Sequence, residues 1–284
     1  MLPALIYIAV VILYPIFSTF LLSFQKYNFI NPPQNTEWVG INNYLSFLKD
    51  TLFWLSIKNT VIYVASAVGF ELILGLSIAF LLSKVLNNRN RIINSIILIP
   101  SLMAPIVVGL IFRYMFNTEF GFLSFIFNKI GLFIGVSILG STTFALWAII
   151  FADIWEWTPF IAIILYAGMI TLPVEPYEAA KIDGASDFGI LKNITIPLLI
   201  PIIRIVLLIR IADAIKEFDK IFIMTEGGPG AASETLNFYA YRMNFRYFDM
   251  GVGSAEVLII LLIITLVSLG LFKILKTQGE INEF

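Results

Sequence analysis

The sequence predicts an all-α integral membrane protein with six transmembrane helices. Three observations carry that reading. Of 284 residues, 59 % are apolar and 13 % charged, against about 45–50 % and about 25 % in soluble chains. Six stretches are apolar for long enough to cross a hydrocarbon core, which takes about 20 residues of helix. The connections between them collect the Pro, Gly, Asn and charged residues, as expected where helices are joined through water.

The elements follow in order as one transmembrane domain over 1–284. The first span, 2–24, has no basic region ahead of it and outlasts the about 7–15 apolar residues of a signal peptide, so it reads as uncleaved. The turn-rich run from Asn31 to Tyr44 leads into an interfacial amphipathic stretch around 44–54. There Trp38, Tyr44 and Trp54 suit the headgroup level, and the plain role is to anchor the first two spans. The second span, 57–82, carries Glu71 near its middle, expected against a polar neighbour. Lys84, Arg89 and Arg91, with no acid nearby, place the next loop in the cytoplasm. The third span is 92–114 and the fourth 144–170. Alternation then makes 171–196 and the tail with Lys273 and Lys276 cytoplasmic, and with them both termini. The opposite side holds Lys26, Lys49, Lys129, Lys220, Arg242 and Arg246, so the charge bias is weak. The fifth span, 198–224, precedes the loop run Gly227-Gly-Pro-Gly230, and the sixth is 252–272.

Chemistry is narrowed as sharply. The chain has no Cys and no His, which removes thiol nucleophiles, disulfides, zinc fingers and Ser–His–Asp triads. No catalytic residue and no metal ligand is assigned. A net charge of −1 gives no sign of nucleic-acid binding.

The most informative stretch runs Pro173-Val-Glu-Pro-Tyr-Glu-Ala-Ala-Lys-Ile-Asp-Gly-Ala-Ser-Asp-Phe-Gly. Pro176 pre-sets a first helical turn behind Glu175, Tyr177 to Asp183 continue it, and Gly184 is placed to stop it in a left-handed conformation. Ser186 or Asp187 then caps a second short helix that runs to Pro197. Ala179 and Ala180 leave a small-residue face where another protein can approach. A two-turn helix is not stable alone, so neighbours or a partner must hold it; the plain alternative is a connecting helix.

Glu178-Ala179-Ala180, three residues, Gly184, nine residues, Ile194, one residue and Ile196-Pro197 resemble the EAA loop of binding-protein-dependent ABC importer permeases. Ile196 stands where the family usually has Leu, a volume-conserving change. Trp38-Val-Gly-Ile-Asn-Asn-Tyr, Ile99-Pro100, Phe218-Asp219 and Thr225-Glu-Gly-Gly-Pro resemble the carbohydrate branch. The likeness covers nearly the whole chain and is similar to maltose-type membrane subunits, without their extra N-terminal spans and large inserted periplasmic domain. It implies a type I ABC importer permease fold in a bacterial plasma (inner) membrane, moving sugar by alternating access. It implies two cytosolic ATPase subunits, which bind ATP and Mg; this chain has no G-x-x-x-x-G-K-[ST] loop and needs no cofactor of its own. A second, related permease subunit and an extracytoplasmic sugar-binding protein complete the implied assembly. The coupling loop is 173–196, with Glu178, Ala179, Ala180, Asp183 and Gly184 as the ATPase-facing residues.

Polar residues inside a span are the second mechanistic feature. Arg210, Asp213, Ala214 and Glu217 share one face of the fifth helix. A central Arg or Asp costs about 2.5–3.5 kcal/mol to insert, so such residues face an interior or a wet cavity. Two readings stay open: Arg210 and Asp213 satisfy each other, or the face is a polar wall of the sugar path. Alignment on the EAA motif carries the maltose-type sugar site onto Glu156, Trp157, Phe160, Arg210, Ala214 and Glu217 by position, with different side chains. Trp155, Trp157 and Phe160 either stack on sugar faces or pack between helices. The expected cargo is an oligosaccharide. A free central Arg would favour acidic sugars; one neutralised by Asp213 says nothing about charge. The rival function is an ion-coupled secondary transporter using Glu71, Asp153 or Glu156, which leaves the EAA spacing unexplained. An intramembrane enzyme is disfavoured without His, Cys or a metal cluster.

Overall fold

The computed structural model describes residues 7, 9–32, 37–85, 95–132 and 135–277. The start of the first span at Leu2, the loop residues Arg89 and Arg91, and the start of the third span at Ile92 lie outside the described residues. What is described is almost wholly helical. A π-turn over Ala9–Leu13 leads into α1 (Tyr14–Leu22), followed by β1 (Gln25–Lys26), β2 (Glu37–Trp38), α2 (Asn42–Leu48) and α3 (Thr51–Val85). Then come α4 (Pro105–Met115), α5 (Phe122–Lys129), α6 (Ala145–Ile170), α7 (Glu175–Ile182), α8 (Asp187–Ile190), α9 (Ile196–Ile215), α10 (Asp219–Met224), α11 (Leu236–Tyr241) and α12 (Met250–Thr277). Among the described residues four helical stretches are long and apolar enough to cross a membrane: Thr51–Ser83, Ala145–Ile170, Asp187–Ile215 and Met250–Gly270. Val10–Leu22 and Pro105–Met115 are shorter apolar helices.

Two of the expected spans are broken, each for a local reason. In the third, the residue before Pro105 cannot stay helical; Ala104 is extended at φ −68° and ψ 135°, and Pro100–Leu102 form a 3₁₀ turn. The 11 residues of α4 rise only about 17 Å. In the fifth, α9 stops at Ile215, and Lys216-Glu217-Phe218 separate it from α10. The Glu217 carboxylate accepts the Lys220 N–H at 2.9 Å and so satisfies a donor in the first turn of α10.

The longest packing seam joins α3 to α6. Gly75 permits it: a Cβ there would lie 2.7 Å from Ile161 Cγ2, so the helices meet at a distance only a missing side chain allows. Three apolar clusters flank this seam. One gathers Tyr63, Phe112, Ile149, Ile221 and Phe238, one Phe47, Phe53, Tyr239 and Ile260, and one Ala79, Ile161, Leu165 and Val206.

The interfacial stretch divides. Trp38 and Trp54 stand exposed. Tyr44 instead turns inward, its ring against Phe24 and Phe47 and its hydroxyl donating to Ser23 Oγ at 2.8 Å. The Gly-rich run after α10 is a loop with Gly227 and Gly230 at positive φ. Asn59 on α3 pins its far end by donating to the Glu234 carbonyl at 2.9 Å.

Candidate functional site

Where α3, α6, α9 and α10 converge, the interior is ionic. Arg210 on α9 donates through Nε and Nη2 to both oxygens of Glu71 on α3, at 2.8 and 2.9 Å. Its Nη2 also reaches Asp153 on α6 at 2.7 Å, and its Nη1 reaches Asp213 at 3.2 Å. The guanidinium lies 4.8 Å from the centre of the Trp157 ring, a cation–π contact. On α10, the Lys220 ammonium sits among three carboxylates: Glu156 at 2.6 Å, Glu217 at 2.9 Å and Asp153 at 3.0 Å. Arg210 is 1 % exposed, and Glu71, Asp153, Glu156 and Lys220 are 0 % exposed. Asp153 is the bridge, one oxygen on each cation.

The arrangement is tolerable inside a membrane because every charge meets an opposite one at hydrogen-bonding distance; removing one partner would strand the rest. The fifth span stops at Ile215, and from the short helix α10 beyond it the Lys220 ammonium reaches Asp153 at 3.0 Å and Glu156 at 2.6 Å. Lys220, counted by charge on the outer side of the membrane, is thereby corrected to a buried core residue.

The residues expected to line a sugar path divide accordingly. Glu156, Trp157, Arg210, Asp213 and Glu217 come together in this network. Phe160 meets Trp157 edge-on at 5.6 Å. Ala214 is buried in the apolar cluster around Phe112 and adds nothing polar. Arg210 does not pair with Asp213 alone: its shortest bonds go to Asp153 and Glu71. Trp155 packs edge-on against Phe112 at 5.5 Å and is 40 % exposed. Missed from the sequence were Lys220 and the pairing of Glu71 and Asp153. The available signal was the three-residue spacing of the acids Asp153 and Glu156, which puts both on one face of α6.

The second assembly is 173–196. The helix α7 starts with Pro176 in its first turn and buries none of its residues. It ends in a Schellman motif: the Gly184 N–H donates to the Lys181 carbonyl at 3.1 Å and the Ala185 N–H to the Ala180 carbonyl at 2.9 Å. Gly184 sits at φ +72°. Ser186 is the cap of α8, its hydroxyl accepting the Gly189 N–H at 3.2 Å. The Tyr177 hydroxyl donates to Thr195 Oγ1 at 3.1 Å, which ties α7 to the residue just before α9. Beneath it is a cavity of about 440 Å³ lined by Phe80, Ser83, Met169, Tyr177, Lys181 and Thr195. Glu178, Ala179, Asp183 and Gly184 are exposed and Ala180 is half-buried. Ile182 and Phe188, not singled out from the sequence, are 87 % and 72 % exposed.

Residues 71–277 match the family described as binding-protein-dependent transport system inner membrane component. The chain belongs to this family. It is therefore a multi-pass membrane permease, a transport component and not an enzyme. The permease is 37 % identical over 254 residues to the trehalose/maltose transport system permease protein MalF of Thermococcus litoralis, covering 89 % of this chain and 84 % of that one. It is 32 % identical over 276 residues to the sulfoquinovosyl glycerol transport system permease protein SmoG of Agrobacterium fabrum, covering 97 % and 89 %. Among solved structures it superposes on a chain of a bacterial ABC transporter involved in the import of the acidic polysaccharide alginate. That match has a TM-score of 0.83 at 18 % identity and covers 97 % of this chain and 93 % of that one. The permease thus has the fold of an ABC importer permease.

Proposed function

We propose that this permease is the membrane subunit of an ATP-driven, binding-protein-dependent importer of oligosaccharides, working by alternating access. Family membership favours that reading over an ion-coupled transporter, and relatives named for trehalose/maltose and sulfoquinovosyl glycerol transport support a sugar as cargo. The observation that carries the mechanism is α7: a short, exposed, sharply stopped helix linked through Tyr177 and Thr195 to the start of α9. A push on it passes to the span that carries Arg210. In the proposed assembly 173–196 faces the cytoplasm and both termini lie on that side of a bacterial inner membrane. Glu178, Ala179, Ala180, Asp183 and Gly184 meet one of two ATPase subunits, which hold ATP and Mg. A second, related permease completes the pathway, and a sugar-binding protein delivers cargo from outside. Trp157, Phe160, Asp213 and Glu217 form the accessible part of the sugar path, with Glu156, Arg210 and Ala214 behind them.

Glu178→Lys tests this. It reverses an exposed charge while leaving the packed bundle untouched. The expected result is normal membrane insertion with loss of ATPase copurification, or of sugar-stimulated hydrolysis in reconstituted vesicles. Full docking and coupled uptake by the variant would reduce 173–196 to a connector.

A further inference from the structure

We infer that the polar face of this permease selects neutral sugars and rejects uronates. The inference rests on the reading of that face as the sugar path. A carboxylated sugar needs an available cation, and both buried cations of the face are already held by acids. Arg210 is engaged by Glu71, Asp153 and Asp213, and Lys220 by Asp153, Glu156 and Glu217. Lys216, exposed, lies 3.9 Å from Asp213. The acids Glu71, Asp153, Glu156, Asp213 and Glu217 outnumber the bases Arg210, Lys216 and Lys220, a balance that disfavours an anion.

Redirecting Arg210 to a substrate carboxylate would strand Glu71 and Asp153, both 0 % exposed, as unpaired buried charges. The hydrogen-bonding capacity left unused is of a different kind. Glu156 Oε1, Trp157 Nε1 and Tyr63 Oη are buried and have no protein partner. Once the path opens onto them, a carboxylate acceptor, an indole donor and a phenol hydroxyl match sugar hydroxyls, which both donate and accept. The rings of Trp157 and Phe160 add apolar faces for the C–H surfaces of a pyranose.

The test uses the assembled complex of permease, partner permease and ATPase in nanodiscs, without the binding protein, so that selection by that protein does not enter. Thermal unfolding is followed against a neutral panel (trehalose, maltotriose, cellotriose) and a uronate panel (di- and trigalacturonate). The expected result is stabilisation by at least one neutral sugar at a concentration at least about tenfold below that needed for any uronate, a gap equal to about 1.4 kcal/mol. Asp213→Asn, which removes the half-exposed acid, should narrow the gap. A uronate that stabilises as well as the best neutral sugar overturns the inference and leaves the sugar path standing. If neither panel stabilises the complex, the sugar-path reading of this face fails, and the inference with it.

Discussion

The segment 173–196 and the Arg210–Lys220 network solve opposite problems. The segment is built from contacts a few residues apart: its Schellman bonds, the Ser186 cap and the turn at Pro176 all lie within one stretch of chain. Its helix buries nothing, and the Tyr177 hydroxyl ties it to Thr195 just before α9. The network joins residues 139, 64 and 57 positions apart and is largely buried, with Asp213 at its half-exposed edge. A surface element that must engage a partner keeps its shape by itself. A buried one that must keep four helices in register depends on all of them. Damage to the first should therefore appear in what the permease couples to, and damage to the second in whether it folds.

The sharpest break of that contrast is Arg210→Met. It leaves Glu71 with no cation and Asp153 with Lys220 alone, both in a dry interior. Uncompensated buried charge costs about 3–5 kcal/mol, the largest effect expected anywhere in this chain. Thermal unfolding of the purified permease in detergent reads it. Pairing the change with Glu71→Leu removes the stranded acid and should recover most of the loss. A single variant as stable as the parent would mean the network is solvated and the contrast is wrong.

How far each region is legible in the sequence follows from the same difference. Pro176, Gly184 and Ser186 specify backbone conformations locally, so the order of turn, helix, stop and cap can be read before any fold exists. The Gly227–Gly230 loop is legible for the same reason. The network is not, because nothing around Glu71 names Arg210 as its partner. Hydropathy located the six apolar stretches but could not see that Pro100 and Pro105 divide the third. Nor could it see that a new short helix inside the fifth brings Lys220 indoors. Charge counting placed Lys220 outside, since an average over a window cannot register one side chain beyond a three-residue joint.

Gly184→Val probes the surface side. A Cβ at this position would meet nothing within 4 Å, so no clash is involved. The cost is the left-handed backbone at φ +72°, about 1–2 kcal/mol for a residue with a Cβ, and a β-branched side chain tolerates it least. Because α7 buries none of its residues, the unfolding midpoint of the bundle should barely move. The helix should instead run on or fray at its end, and copurification with the ATPase should fall several-fold. A lowered midpoint with normal ATPase docking would invert the assignment of the two regions.

The smallest effect belongs to the bond between α7 and the residue just before α9. Tyr177→Phe deletes the hydroxyl that donates to Thr195 Oγ1 at 3.1 Å and keeps the ring over the cavity beside α3 and α6. A hydrogen bond of this kind contributes about 0.5–1.5 kcal/mol. Thr195 still donates to the Ile190 carbonyl at 3.4 Å, so no buried group is orphaned. Global stability should stay within the lower part of that range, and ATPase docking should be normal, since Glu178, Ile182 and Phe188 keep their places. What should change is transmission: with the tie cut, part of the motion of α7 is absorbed before it reaches α9. More ATP is then hydrolysed per sugar moved in reconstituted vesicles. Thr195→Val should raise the same ratio, and the double variant should be no worse than either single one, because both cut the same link. Additive losses would mean that Tyr177 and Thr195 act through separate contacts, and that force reaches Arg210 by another route.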